Sequence, residues 1–290
     1  MIREVTAKTI LSDVKQPDQW FGLRYNMNLY RGCQHGCIYC DSRSECYRIE
    51  KFDEEVVVKT NAIQLLKKEI AKKKEKGTIG LGSMNDPYMP VELELEMTKQ
   101  ALEVIANHRF PVHMITKSDL VLRDLDLYKR INFVYAAISF TITTADDNLA
   151  KKIEPAAPAP SKRFKAMEKI AANGIMTGIT LMPLLPYIQD NVDNIVDIVK
   201  AAKDSGVSYI IPAFGVTLRD RQRDYFYKKL EKEFPGIKER YIKKFKNNYF
   251  CLPEKVRVLD MIFREQCYKQ GIPVKIKQFT PGEPEQLALF

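Results

Sequence analysis

No stretch of this chain has enough consecutive apolar residues to span a bilayer, so no transmembrane helix and no membrane partner are expected. The opening residues, Met1 to Val5, lack the long apolar core of a secretory signal, and a cytoplasmic location is expected. In that compartment six cysteines read as metal ligands or free thiols, not as a disulfide scaffold. Tryptophan is almost absent: the single one, Trp20, is expected to pack over one mouth of the domain. There is no long linker and no internal repeat beyond a strand–helix unit. Composition does not suggest disorder, with 45% hydrophobic and 29% charged residues, and 290 residues can build a substantial core.

Charge is unbalanced. Lys and Arg number 46 against 37 Asp and Glu, a formal +9. Such an excess favours a polyanionic partner such as DNA, although lysine-rich helix faces are also simply solvated. Lys67, Lys68, Lys72, Lys73, Lys74 and Lys76 read as a face of that second kind.

The cysteines that are present concentrate in one place. Cys33, Cys37 and Cys40 follow the spacing C-x3-C-x2-C, with Gly32 and Gly36 beside and between them. A loop this tight turns three thiolates onto one centre, and glycine lets its backbone take positive φ. Thiolate is the usual ligand of iron–sulfur clusters, which normally take four cysteines. Three leave a position open for a substrate or cofactor. The competing reading is a structural zinc loop completed by Cys46 or His35. Structural zinc sites usually pair two short cysteine spacings, and no second pair exists here.

Hydrophobic patterning predicts strands at residues 25–30, 78–81, 111–116, 133–141, 175–182 and 207–214. Helices are predicted at 61–76, 94–108, 120–130, 161–173 and 191–205. The alternation argues for βα units, a parallel sheet and an α/β fold. Chemistry in such folds gathers at the C-terminal ends of the strands, and the cysteine loop follows the first strand. Residues 1–24 read as an irregular arm and 25–218 as the core. Residues 219–280 read as a C-terminal helical extension, with a helix at 254–270 and a strand at 272–276, and 281–290 as a flexible tail. Arg219, Arg221, Arg223, Lys243, Lys244 and Lys246 give the extension a basic face. Tyr225, Tyr227, Tyr241 and Phe245 are interleaved there, fit for base stacking or for core packing.

The cysteine spacing, with the aromatic Tyr39 before its last member, resembles the signature of the radical S-adenosylmethionine (SAM) superfamily. Five linked motifs over roughly residues 25–215 resemble relatives of spore photoproduct lyase, a family of DNA repair enzymes. They run from Tyr30 through Cys40; from Gly82 to Glu92; and through Thr116, Lys117 and Ser118 with Leu122, Arg123 and Asp124. The last two are Ile153, Glu154 and Pro155 with Pro158 and Arg163, and Met182 to Pro186 with Asp190.

The resemblance implies an open six-stranded partial (β/α)6 TIM-like barrel. It implies that Cys33, Cys37 and Cys40 hold a [4Fe-4S] cluster, with S-adenosyl-L-methionine on the fourth iron. Ser83 and Asp86 would lie near the methionine end of SAM, Lys117 and Arg163 would neutralise its carboxylate, and Ser139 would hydrogen-bond it. An electron from flavodoxin or ferredoxin would cleave SAM, and the resulting 5′-deoxyadenosyl radical would abstract a hydrogen atom, here from DNA. Tyr39 and Cys46 are candidate catalytic residues; Cys46 reads as a nearby redox thiol or a buried one, and burial is favoured. RNA, a peptide or a small molecule as substrate, and a non-enzymatic metal-stapled nucleic-acid-binding module, are the alternatives.

Two departures bear on the reaction. Spore photoproduct lyase has a hydrogen-donating cysteine close to the serine of its second-strand motif, whereas residues 80–83 here contain none. A tyrosine follows its last cluster cysteine, and here Asp41 does. At the other end of the chain Gln286, Leu287, Leu289 and Phe290 resemble the peptide that docks bacterial repair proteins on the sliding clamp. A tail folded back on its own domain is the alternative.

Overall fold

Alternating strands and helices place one sheet at the centre of the chain. The computed structural model describes residues 1–16, 18–52 and 54–282. The strands are β1 (Ile2–Val5), β2 (Leu11–Asp13), β3 (Leu23–Met27), β4 (Tyr30–Arg31), β5 (Val56–Lys59) and β6 (Thr78–Leu81). They continue as β7 (Val112–Thr116), β8 (Ala136–Thr141), β9 (Met176–Leu184), β10 (Tyr209–Phe214), β11 (Val216–Thr217) and β12 (Phe250–Cys251). The helices are α1 (Ala62–Ile70), α2 (Glu92–Leu95), α3 (Met97–Asn107), α4 (Leu125–Asn132) and α5 (Asp147–Ile153). They continue as α6 (Pro160–Ala172), α7 (Val192–Asp204), α8 (Asp220–Glu233), α9 (Ile237–Phe245) and α10 (Val256–Gln270).

The main sheet has seven strands in the order β10-β9-β8-β7-β6-β3-β2. From β3 to β10 every neighbouring pair is parallel, and β2 joins antiparallel to β3 at the edge. All six residues of β8 are buried, as expected of a parallel strand covered on both faces. The helices supply the cover. Ala62, Leu66 and Ile70 fall four apart on α1, and Ile195, Ile198, Val199 and Ala202 form one stripe of α7. Each fully buried Leu or Ile of this kind contributes about 1.5–3 kcal/mol.

The structure departs from the sequence expectations at several points. Residues 1–24 are not an irregular arm. They contribute β2 to the main sheet and β1 to a second, three-stranded sheet, β1-β5-β4. The partner that orders β1 is the buried run Val56, Val57 and Val58, a strand the pattern reading passed over. Trp20 is 44% exposed; its neighbour Phe21 does the packing, stacked on His113 with ring centroids 4.5 Å apart. The helix expected to reach residue 76 stops at Ile70, where the lysines crowd together. The helix at 94–108 is split by Glu96, which takes the left-handed conformation (φ 48°). Residues 272–276 form no strand. Ile272 and Ile276 are buried, but Pro273 has no N–H to give and only accepts one bond from Ile210 N (2.9 Å).

The C-terminal helices divide their work. α10 packs against α7. Phe226 and Leu230 of α8, with Tyr241 and Phe245 of α9, share a hydrophobic cluster with Cys37, Ile38 and Tyr39 of the cysteine loop. Tyr241 and Phe245 are therefore core residues, not a stacking surface. Tyr225 lies against Arg43, whose guanidinium is 3.6 Å from its ring centroid. The clamp-like residues Gln286, Leu287, Leu289 and Phe290 lie outside the described residues.

Candidate active site

The C-terminal ends of the parallel strands meet at a cavity of about 410 Å³. Cys33, Cys37 and Cys40 line it together with Ser83 and Asp86 after β6, Lys117 after β7, Thr141 of β8 and Pro183 of β9. A groove of about 1030 Å³ opens around Arg24, Gly77 and Thr78, at the opposite strand ends. It contains no cysteine, so volume does not decide where the chemistry sits.

Local backbone geometry explains how the loops come so close. Gly32 has φ +82°, and a Cβ there would stand 2.6 Å from the carbonyl oxygen of Glu55. Gly82 has φ +99°, and a Cβ there would stand 2.0 Å from the carbonyl oxygen of Ile115. Only glycine lets the cysteine loop leave β4 against β5 and lets β6 turn against β7.

Asp86 ties three segments together. Its buried carboxylate accepts from Tyr88 N (2.9 Å), Thr116 Oγ1 (2.6 Å) and Lys117 N (2.6 Å). His35 Nε2 lies 3.0 Å from Oδ2, the oxygen that also accepts from Lys117 N. Burial opposes its charge, but His35 and these donors hold the carboxyl well below the usual range. The loop after β6 is further fastened to the cysteine loop by Ser42 Oγ donating to Met84 O (2.7 Å) and by Val91 N donating to Gln34 Oε1 (2.7 Å). Behind it, Glu92 accepts from Tyr30 OH and Thr98 N and pairs with Arg123 (2.8 Å). Motif residues of the second and third strands thus bond to one another.

The segment after α5 closes the other side. Ile38 N donates to Ile153 O (2.9 Å) and Ala156 N to His35 O (3.1 Å). Tyr39 OH donates to Glu154 Oε1. Arg163 Nη2 lies 2.5 Å from Glu154 Oε2, both side chains being 1% exposed. Its Nε donates to Pro158 O (2.7 Å) and its Nη1 to Thr141 O (2.8 Å). All three nitrogens of Arg163 therefore face protein partners. Burial would raise the Glu154 carboxyl, but Arg163 and Lys117 keep it low. Burial would release the Lys117 proton, yet Cys37 and Glu154 beside it hold that proton on, so the cavity carries a fixed cation.

Of the residues singled out from sequence, the three cysteines, Tyr39, Ser83, Asp86 and Lys117 line the cavity. Ser139 and Arg163 do not. Ser139 Oγ is 2.8 Å from His113 Nε2 and 2.6 Å from Tyr209 OH, inside the sheet's packed interior. Cys46 is exposed, not buried, because its short helical turn lies on the surface. The sequence assigned no role to Glu154, offered His35 only as a zinc ligand, marked Asp41 only as a departure from the related lyase, and did not point to Tyr47, Thr217 and Phe250 on the cavity wall. Tyr47 donates locally to Asp41, but Glu154 and Thr217 meet the cysteine loop only from far along the chain.

The donor set can be tested against the groups the loop would hold. Among the described residues no three His, Cys, Asp or Glu side chains gather closely enough for one metal ion. A cluster of four irons takes each thiolate on a different iron, so its ligands ring a cavity rather than converge on a point. Burial, with Asp86 and Cys40 beside it, pushes the Cys33 thiol up to about 12. Binding iron must therefore displace a proton from the Cys33 thiol. Lys117 adds a positive charge to the same cavity.

Comparison with known proteins agrees with this arrangement. Residues 27–199 match the model of the radical SAM superfamily. A protein of Methanocaldococcus jannaschii is 36% identical over 191 residues, 65% of this chain and 70% of that protein. One of Mycobacterium tuberculosis is 28% identical over 290 residues, 97% of this chain and 82% of that protein. Among solved structures, spore photoproduct lyase superposes with a TM-score of 0.69 at 17% identity, over 97% of this chain and 80% of that one. A variant of that lyase with bound AdoMet and dinucleoside spore photoproduct gives the same TM-score at 16% identity, over 97% and 79%. With its cysteine loop and its strand-end cavity, the chain belongs to the radical SAM superfamily and has a spore photoproduct lyase-like fold.

Proposed function

We propose that this protein is a radical SAM enzyme that acts on DNA. One observation carries the reading: among the described residues three cysteines from one loop, and no fourth, line a cavity at the C-terminal ends of parallel strands. In this reading the six parallel strands are an open (β/α)6 partial barrel, with residues 219–280 as its helical extension. Cys33, Cys37 and Cys40 hold a [4Fe-4S] cluster, and SAM occupies the position left free. Bound there, and reduced by a carrier such as flavodoxin or ferredoxin, the pair supplies a 5′-deoxyadenosyl radical for hydrogen abstraction. The chain's own residues do the rest. Asp86 fixes the relative position of the β6 and β7 loops, Lys117 offers its charge to the SAM carboxylate, and Tyr39 stays neutral because burial and Glu154 push its hydroxyl well above the usual range. The +9 charge and the likeness to a lyase solved with a dinucleoside lesion support DNA as substrate.

One observation favours a different reaction on the same scaffold. Among the described residues no cysteine besides the three of the loop lines the cavity, and Cys251 and Cys267 are buried in packed clusters. A thiol hydrogen donor is thus missing from the wall, which favours a substrate whose product radical is quenched in another way, including RNA, a peptide or a small molecule.

The test is 5′-deoxyadenosine formation by anaerobically reconstituted protein with SAM and dithionite, with and without DNA. Stimulation by DNA is expected. Production indifferent to DNA would move the substrate elsewhere, and none from protein with a full cluster would remove the enzyme reading.

A further inference from the structure

Asp41 directly follows Cys40 and lines the same cavity. A carboxylate is an unfavourable neighbour for a thiolate-ligated centre that must accept an electron. The chain places a cation on it from 178 residues away: Arg219 Nη2 lies 2.6 Å from Asp41 Oδ2, with the two side chains 33% and 32% exposed. Arg219 Nε also donates to Ser44 Oγ (3.1 Å), and Tyr47 OH donates to the same Asp41 oxygen (2.9 Å).

The base from which Arg219 reaches is firmly held. Two residues along, Arg221 donates to the carbonyls of Arg43 (2.7 Å) and Ile49 (2.7 Å), and Gln222 Nε2 to that of Tyr39 (3.2 Å). Arg223 ties the same turn to the carbonyls of Lys246 (2.6 Å) and Asn248 (2.7 Å). The arginines of the basic face thus spend their donors on the protein itself. This clamp lies beyond the 27–199 segment that matches the family model.

The potential of a thiolate-ligated cluster follows the net charge and hydrogen bonds around it. An uncompensated carboxylate favours the oxidised form, and a cation on that carboxylate offsets the effect. We infer that Arg219 is a positioning residue that neutralises Asp41 beside Cys40 and so raises the reduction potential of the cluster. The inference rests on the cluster reading above, and it assigns the C-terminal extension a part in the redox chemistry.

The experiment is a redox titration followed by electron paramagnetic resonance on the anaerobically reconstituted full chain. Arg219→Ala should lower the potential, on the order of a tenfold smaller equilibrium constant for reduction, ~59 mV for one electron. Arg219→Lys should retain most of the wild-type value. Asp41→Asn, which leaves the cation unopposed, should raise the potential, and the double variant should return towards wild type. A purely structural role would change iron content without this charge-compensating cycle. Unmoved potentials in loaded Arg219→Ala and Asp41→Asn would overturn the inference. Should Arg219→Ala fail to take up iron, Arg219→Gln in the same titration decides it, and a wild-type potential there would overturn the inference. Failure of the wild-type chain to bind iron would overturn the cluster reading instead.

Discussion

Replacing Glu154 by Gln separates two roles for the buried pair it forms with Arg163. The substitution keeps shape and leaves an oxygen for Tyr39 OH, but it removes the charge facing a guanidinium that is 1% exposed. Breaking a buried ion pair from one side typically costs about 3–5 kcal/mol, because the remaining charge is uncompensated. At roughly 2 °C per kcal/mol for a chain of this size, melting should fall by roughly 6–10 °C. Urea denaturation should register the same loss as a lower midpoint at unchanged slope. Glu154→Gln combined with Arg163→Met removes both charges and should recover most of the stability. The double variant also tests the ligand role. All three nitrogens of Arg163 already face protein partners. SAM affinity of the cluster-loaded double variant, measured by calorimetry, should therefore stay within a few-fold of wild type. A loss of a hundredfold would mean that Arg163 serves the SAM carboxylate after all, and the structural assignment would fall.

Four further outcomes are expected. Lys117→Met should weaken SAM binding by about 1.5–3 kcal/mol, roughly 10- to 150-fold, the value of a charged hydrogen bond; unchanged affinity by calorimetry would remove it from the cofactor site. Asp86→Ala should unfasten the β6 and β7 loops and lower iron per chain after reconstitution, read by iron and sulfide analysis, with full loading counting against a tethering role. His113 is fully buried and its pKa is pushed down to about 3 by burial. A depressed folded pKa means full stability above the unfolded value of about 6.5 and progressive loss towards 3, about 2 kcal/mol between pH 6.5 and 5; denaturation of His113→Leu should be flatter over that window, and an identical slope would refute the assignment. In a pull-down the full chain should retain a bacterial sliding clamp and a chain lacking residues 286–290 should not, with SAM cleavage equal in both; no retention by the full chain would remove the clamp as a partner.

The sequence made most of the sheet legible because its strands are buried on both faces. The β6 bounds come out as expected, and β7 to β10 shift by one to three residues at an end. What escaped was set by tertiary pairing. Ile2 to Val5 carry little apolar signal and become a strand only because Val56 to Lys59 lie alongside. The cysteines were readable from spacing alone, since all three lie in one short loop. Ser139 was not: its hydroxyl belongs to His113 and Tyr209, and no local pattern shows which side of the sheet it serves. Arg219 drew notice as one of a basic set, while its ion pair with Asp41 depends on α8 folding back over the cysteine loop.

That return of α8 has a consequence for biogenesis. Gln222 closes on the carbonyl of Tyr39 across 183 residues of chain. At about 5–20 residues per second, a ribosome takes roughly ten to forty seconds to make that interval. During it, the nascent thiols of Cys33, Cys37 and Cys40 lack their cover and lie open to oxidation to sulfenic acid or mixed disulfide. Cover for the three thiols therefore arrives only with α8, after every strand of the main sheet has been made.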